Sequence, residues 1–139
     1  MTDGGEPVVV DTNILFSALL RADTVFAQVL FHAPRTFFIC ETTLAELFRR
    51  KDKLMRRTRM DEAALVRSYH LLLKRVEVSK EDRIPAQFWS RARTLCAGLD
   101  ADDEPQIALT LALHGLLWTG DKVLKTGLIA RGFDRFFIP

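Results

Sequence analysis

Asp100-Ala-Asp102-Asp103-Glu104-Pro105-Gln106 leads into Ile107-Ala-Leu-Thr-Leu-Ala-Leu113, then His114-Gly115, Leu116-Leu-Trp118-Thr119 and Gly120-Asp121-Lys122. This order of residue types predicts an acidic helix start, a buried helix, a glycine stop, a short buried strand and a second acidic turn. One carboxylate is enough to cap a helix, since it satisfies free N–H groups and complements the dipole there. Four acids within the five residues Asp100–Glu104 exceed that need. The run Ile107–Leu113 is apolar nearly all round, which predicts a helix covered on both sides. A negative cluster beside a buried element calls for a counter-charge, and a divalent cation is the obvious one.

Working outward, Val8-Val9-Val10 is a short, continuously apolar run, the pattern of a buried parallel strand, and ends in the polar turn Asp11-Thr12-Asn13. A helix is expected over Ile14–Leu20. A second begins at Asp23 or Thr24 and stops at Pro34. Phe37–Cys40 reads as the next strand. Thr43 begins a helix with Leu44, Leu47, Phe48, Leu54 and Met55 inward. Asp61 caps another, Val76–Val78 is a third strand, and Pro85 opens a helix through Leu95. After the strand Leu116–Thr119 come a short helix near Val123–Ala130 and a last strand at Phe136–Ile138. Arg56–Met60 and Ser79–Ile84 read as loops. Strands alternating with helices specify an α/β fold, a parallel sheet of about five short strands covered on both faces.

The chain's 139 residues suit one domain spanning 1–139, and 48% hydrophobic with 27% charged residues is ordinary for a globular chain. Cys40 and Cys96 lie far apart without a CxxC or Cys/His pattern, which argues against a zinc site or disulfide scaffold and fits a reducing cytoplasm. The polar N-terminus lacks a signal-peptide apolar run, and no apolar stretch approaches the ~20 residues a membrane span needs. Phosphate-loop, dinucleotide and nucleophile-elbow motifs are missing, and His32, His70 and His114 form no nucleophile–base pattern. Trp89 and Trp118 read as core residues.

In a parallel α/β sheet, ligands bind at the carboxyl edge of the strands. Asp11 follows the first strand, Glu46 lies in the first turn after the second, and Asp121 follows the fourth. The helix entering that fourth strand runs antiparallel to it, so Asp102, Asp103 and Glu104 start at the same edge. Carboxylates gathered there suit Mg²⁺ or Mn²⁺. Each acid also has a structural reading. Asp11 fits an Asx turn. Glu46 fits a capping box with Thr43, or an ion pair with Arg50. Asp121 fits an N-cap. Arg49, Arg50, Lys51, Lys53, Arg56, Arg57 and Arg59 crowd eleven positions, as either a solvated helix end or a phosphate track.

With these residues in view, the chain resembles the PIN-domain family of metal-dependent ribonucleases from about Val8 to Pro139, and most closely the branch of toxins from toxin–antitoxin pairs. Val8–Asp11-Thr12-Asn13 resembles the opening strand and first acid. Thr43-Leu-Ala-Glu46-Leu resembles the segment of the second. Asp100–Asp103 resembles the third, and Thr119-Gly120-Asp121-Lys122 the fourth, with its preceding hydroxyl residue. The chain departs from the pattern at Pro105-Gln106 and His114-Gly115, so the third acid is Asp103, Glu104 or Asp102.

The resemblance implies a three-layer α/β/α fold and cleavage of RNA with one or two Mg²⁺ or Mn²⁺ ions. Asp11, Asp103 and Asp121 would hold metal, with Glu46 assisting directly or through water. Asn13 and Thr119 would orient the carboxylates or water. Arg49, Arg50 and Lys53 would grip flanking phosphates. It further implies a homodimer and an antitoxin partner. The alternatives are a catalytically silent PIN fold that binds RNA or protein, and a phosphoryl-transfer domain with Asp11 as nucleophile. Asn13, where such a phosphatase carries a second Asp, argues against the last.

Overall fold

The computed structural model describes residues 5–21 and 23–139. In chain order the elements are β1 (Val8–Val10), α1 (Thr12–Leu20), α2 (Val25–His32), β2 (Phe37–Cys40), α3 (Glu41–Arg49), α4 (Lys51–Thr58), α5 (Glu62–Arg75), β3 (Val76–Ser79), α6 (Ala86–Cys96), α7 (Glu104–Ala112), β4 (Leu116–Trp118) and α8 (Lys122–Ala130). The four strands form one parallel sheet in the order β3-β2-β1-β4.

Strand periodicity divides the core in two, because successive side chains point to opposite faces. Val8, Val10, Phe37, Ile39 and Trp118 turn to one face and pack with α1, α2, α4 and α5. Val9, Cys40 and Leu117 turn to the other and meet α6, α7 and α8. The result is the expected three-layer arrangement, with α7 buried along Gln106–Thr110. Trp118 is fully buried, with Phe26, Phe37 and Phe137 around it at ring-centroid distances of 5.1–6.1 Å.

Several boundaries differ from the sequence reading. The last strand contracts to a single parallel bridge, Leu117 with Phe136. Phe137 N still donates to Leu117 O at 2.9 Å, while its ring caps the Trp118 cluster. The helix expected from Thr43 starts at Glu41 and breaks at Arg50, whose φ and ψ of −99° and 14° separate α3 from α4. Arg56–Thr58 belong to α4, and left-handed Arg59 ends it. Residues Glu81–Arg83 form a 3-10 turn.

At the end of α7 the left-handed residue is His114 (φ 51°), not Gly115. Glycine is needed one position later for close approach. Leu116 N donates to Pro7 O at 2.9 Å where β4 joins β1, and a Cβ on Gly115 would fall on that same oxygen. Gly115→Ala therefore forces backbone apart, and is expected to lower unfolding stability by about 1–3 kcal/mol. Urea titration should show a lower midpoint with an unchanged slope.

Candidate functional site

The β1–β4 pairing sets Val10 opposite Trp118, so the next residue on each strand, Asp11 and Thr119, meets at the carboxyl edge. Asp11 N donates to Trp118 O at 2.9 Å, and Thr119 Oγ1 donates to Asp11 Oδ2 at 2.7 Å. Asp11 precedes α1, yet its side chain makes no capping bond to that helix. Its carboxylate is buried, at 7% exposure. Burial lifts its pKa above the usual range, against hydrogen bonds from Thr119, the Thr12 backbone and Gln106.

Asp103 arrives from the other side of the sheet. Asp100 accepts from Asp102 N at 3.0 Å and starts the 3-10 turn Ala101–Asp103, which delivers Asp103 to the head of α7. Gln106 Nε2 then donates to Asp103 Oδ1 at 2.6 Å. Burial, joined by the charges of Asp11, Asp100 and Asp121, pushes the Asp103 carboxyl up to about 7. Gln106 opposes that rise.

A cavity of about 450 Å³ opens between these elements, walled by Asp11, Asn13, Thr43, Glu46, Asp102, Asp103 and Gln106 among others. Glu104 is not in its wall; its charge, like that of Asp103, acts on Cys96 in α6. Asp121 is exposed and caps α8, accepting from Leu124 N at 3.1 Å. It lies outside the cavity wall, though its charge reaches both Asp11 and Asp103. Thr119 bridges the two sites, since its Oγ1 also accepts from Asp121 N at 3.1 Å.

Of the two structural readings of Glu46, the ion pair with Arg50 forms and the capping box with Thr43 does not. Because α3 begins at Glu41, Thr43 lies inside the helix, and Glu46 reaches forward instead. It meets Arg49 at 2.5 Å and Arg50 at 3.1 Å on the cavity rim. The reciprocal box at this helix start is built from distant residues. Thr42 N donates to a Glu81 carboxylate oxygen at 2.8 Å, and Glu81 N to Glu41 Oε1 at 3.0 Å. Lys53 forms no ion pair among the described residues.

Gln106 is the residue that the sequence reading missed. Its signal was a polar side chain three positions after Asp103, opening an otherwise apolar helix. At 5% exposure it is slightly more buried than Asp11.

The donor set is all oxygen and faces a polar cavity. Two desolvated carboxylates, Asp11 and Asp103, have neutral donors around them but, among the described residues, no ion-paired cation of their own. That fits a hard divalent ion, which takes one or two carboxylates and keeps several waters. Among the described residues, no group of three or more His, Cys, Asp or Glu side chains is arranged to hold an ion. The fit therefore rests on Asp11 and Asp103, with water completing the shell.

An α/β fold with carboxylates gathered at the carboxyl edge of its parallel sheet belongs to the class in which ligands bind at that edge. The particular family is the PIN domain: its family model matches residues 9–136, and the chain belongs to that family. PIN domains are in general nucleases and generally use divalent cations. The fold is similar to that in the crystal structure of VapBC2 from Rickettsia felis bound to a DNA fragment from their promoter. The TM-score is 0.67 at 17% identity, covering 86% of this chain and 92% of that one. No curated protein is significantly similar to the chain. Among the described residues, no single helix is long and apolar enough to cross a membrane.

The charge arrangement has a pH consequence. A carboxyl whose folded pKa is raised holds its proton more tightly folded than unfolded, so stability falls as pH rises between the two values. For Asp103 that window runs from the ordinary 3.8 to about 7. The metal-free chain should lose melting temperature across it, and Asp103→Asn should flatten the loss and raise the Tm at pH 7.5. Adding Mg²⁺ or Mn²⁺ at that pH should stabilise the parent chain more than the variant.

Proposed function

We propose that the chain is a Mg²⁺- or Mn²⁺-dependent endoribonuclease, serving as the toxin of a toxin–antitoxin pair. The observation that carries this is the meeting of buried Asp11 and half-buried Asp103 in the wall of one cavity, beside a rim of unpaired and paired cations. Two carboxylates brought so close cost stability unless a cation joins them, and a phosphodiester is the anion such a cation would receive. Asp11 and Asp103 would hold the ion, with Asp121 adding negative charge from outside the cavity wall, and Asp102 or Glu104 as lesser candidates. When bound, the ion would acidify a water and offset charge on the phosphate oxygens.

The chain's own groups have separate tasks in this reading. Thr119 and Gln106 hold Asp11 and Asp103 in fixed orientations, as donors behind ligand carboxylates do. Asn13, in the cavity wall, would orient a phosphate oxygen or water. Arg49, Arg50 and Lys53 would bind neighbouring phosphates. Glu46 would tune Arg49 and Arg50, holding them at the rim until a phosphate competes for them.

The antitoxin partner is proposed from the resemblance to the toxin branch and from the fold shared with VapBC2. A basic side chain from such a partner would suit the acidic cavity. A homodimer and a cytoplasmic location complete the reading. The competing reading, a silent binding module, takes its support from the lack, among the described residues, of any group of three or more His, Cys, Asp or Glu side chains arranged for an ion.

The deciding experiment is cleavage of end-labelled RNA oligomers with Mg²⁺, Mn²⁺ or EDTA. Cutting should require the metal and vanish in Asp11→Asn. Thr119→Val should weaken metal affinity or activity by about 10–100-fold. Metal-dependent RNA binding without cutting would favour the silent module, and equal cutting by Asp11→Asn would place the activity elsewhere.

A further inference from the structure

A second cleft, of about 290 Å³, adjoins the acidic cavity between α1 and α4. Its floor is apolar, from Phe16, Leu20 and Leu54, and its rim is cationic, from Arg50, Lys53 and Arg57. No acid lines it. Arg50 carries its guanidinium over the Phe16 ring, 5.2 Å from the centroid. Asn13 and Arg50 line both hollows, so they form a common wall.

The geometry points to this cleft as a subsite for one unpaired nucleobase of the RNA, lying against the Arg50 guanidinium with its adjoining phosphate toward Lys53 and Arg57. The inference rests on the nuclease reading and deepens it. Single-stranded RNA exposes bases that stack on aromatic rings and guanidinium planes, while cations track the backbone. A guanidinium backed by an aromatic ring offers such a plane with its position already set. The size sits at the low end of small-ligand pockets, which begin near 300 Å³. The cationic rim of Arg50, Lys53 and Arg57 favours a polyanion such as RNA over a partner segment carrying basic side chains. A strand whose phosphate enters that cavity reaches the cleft across Asn13 and Arg50 without leaving the surface. Glu46 then has a second effect. Its ion pair anchors Arg50 from the cavity side while the Phe16 ring supports it from the cleft side.

The test pairs enzyme variants with altered RNA. In an oligomer that the chain cuts, the base is removed in turn at each position flanking the cut, leaving an abasic ribose. With the parent chain, kcat/KM should fall about tenfold or more at one position, the worth of one stacked base. Arg50→Lys keeps the charge and the partner for Glu46 but removes the plane. On intact RNA it should lose about the same factor, and removing the base should then cost it little more. Phe16→Leu should behave alike, and Arg50→Lys carries the test if Phe16→Leu does not fold. Such non-additivity marks direct contact, which a structural defect would not reproduce. Additive losses, or no sensitive position, would overturn the subsite and leave the cleft to a protein partner. If no RNA is cut with any metal, the nuclease reading falls first, and the subsite with it.

Discussion

The pairing of β1 with β4 is the constraint on which the site depends. Val10 opposite Trp118 puts Asp11 beside Thr119. Because side chains alternate along a strand, a one-residue slip would send Val9 and Leu117 to the wrong layer and carry the carboxylate away from the hydroxyl. The register is held at both ends: Leu116 N bonds Pro7 O at the start, and Asp11 N bonds Trp118 O at the finish. The buried Trp118 cluster fixes it from one face, and Leu117 against α7 and α8 from the other. The hydrogen bond between Thr119 and Asp11 joins residues 108 apart in sequence. A buried carboxylate at this point is possible because the surrounding core leaves the register no alternative.

Much of this arrangement was legible in the sequence, and for identifiable reasons. Val8–Val10, Phe37–Cys40 and Leu116–Trp118 are short apolar runs bounded by polar turns, so their strands could be read directly. Thr24 and Asp61 cap their helices as their positions suggested, accepting from Ala27 N and Ala64 N. Asp11, Asp102 and Asp103 reach one edge because topology alone sends them there. What stayed hidden depends on contacts distant in sequence. Glu81 supports the start of α3 from 39 residues away, so local pattern placed that helix start at Thr43 and made a capping box of Glu46. His114 takes the left-handed position that a glycine rule assigns to Gly115, because Gly115 is needed against Pro7 instead.

The acids differ in how far structure explains them without function. Asp121 caps a helix and is exposed; a surface acid would do the same in any protein. Glu46 is balanced by two guanidiniums. Asp11 and Asp103 are not balanced in this way. Asp11 does not cap its helix, and Asp103 is driven toward neutrality by burial and by the other acids. Neutral donors, Thr119 and Gln106, occupy their oxygens without cancelling their charge. Folding would be easier with apolar or amide residues at either position, so the unbalanced charge is the feature that structure alone leaves unexplained.

The same imbalance distinguishes the two hollows, since Asp11 and Asp103 line one and the other is rimmed by Arg50, Lys53 and Arg57. An anionic ligand cannot approach Asp11 and Asp103 unaided, because their field repels it at short range. A cation bound by them would reverse that field locally, and Arg49 and Arg50 supply positive charge in the same cavity wall. Glu46 stands between the two regimes. Its carboxylate is satisfied by Arg49 and Arg50, and neither arginine is paired with Asp11 or Asp103 among the described residues. The ion pairs that look like ordinary helix-surface stabilisation, worth only tenths of a kcal/mol as such, thus have a larger consequence as a partition. In the proposed function they would leave the acidic cavity open to a metal and the adjoining cleft open to a polyanion.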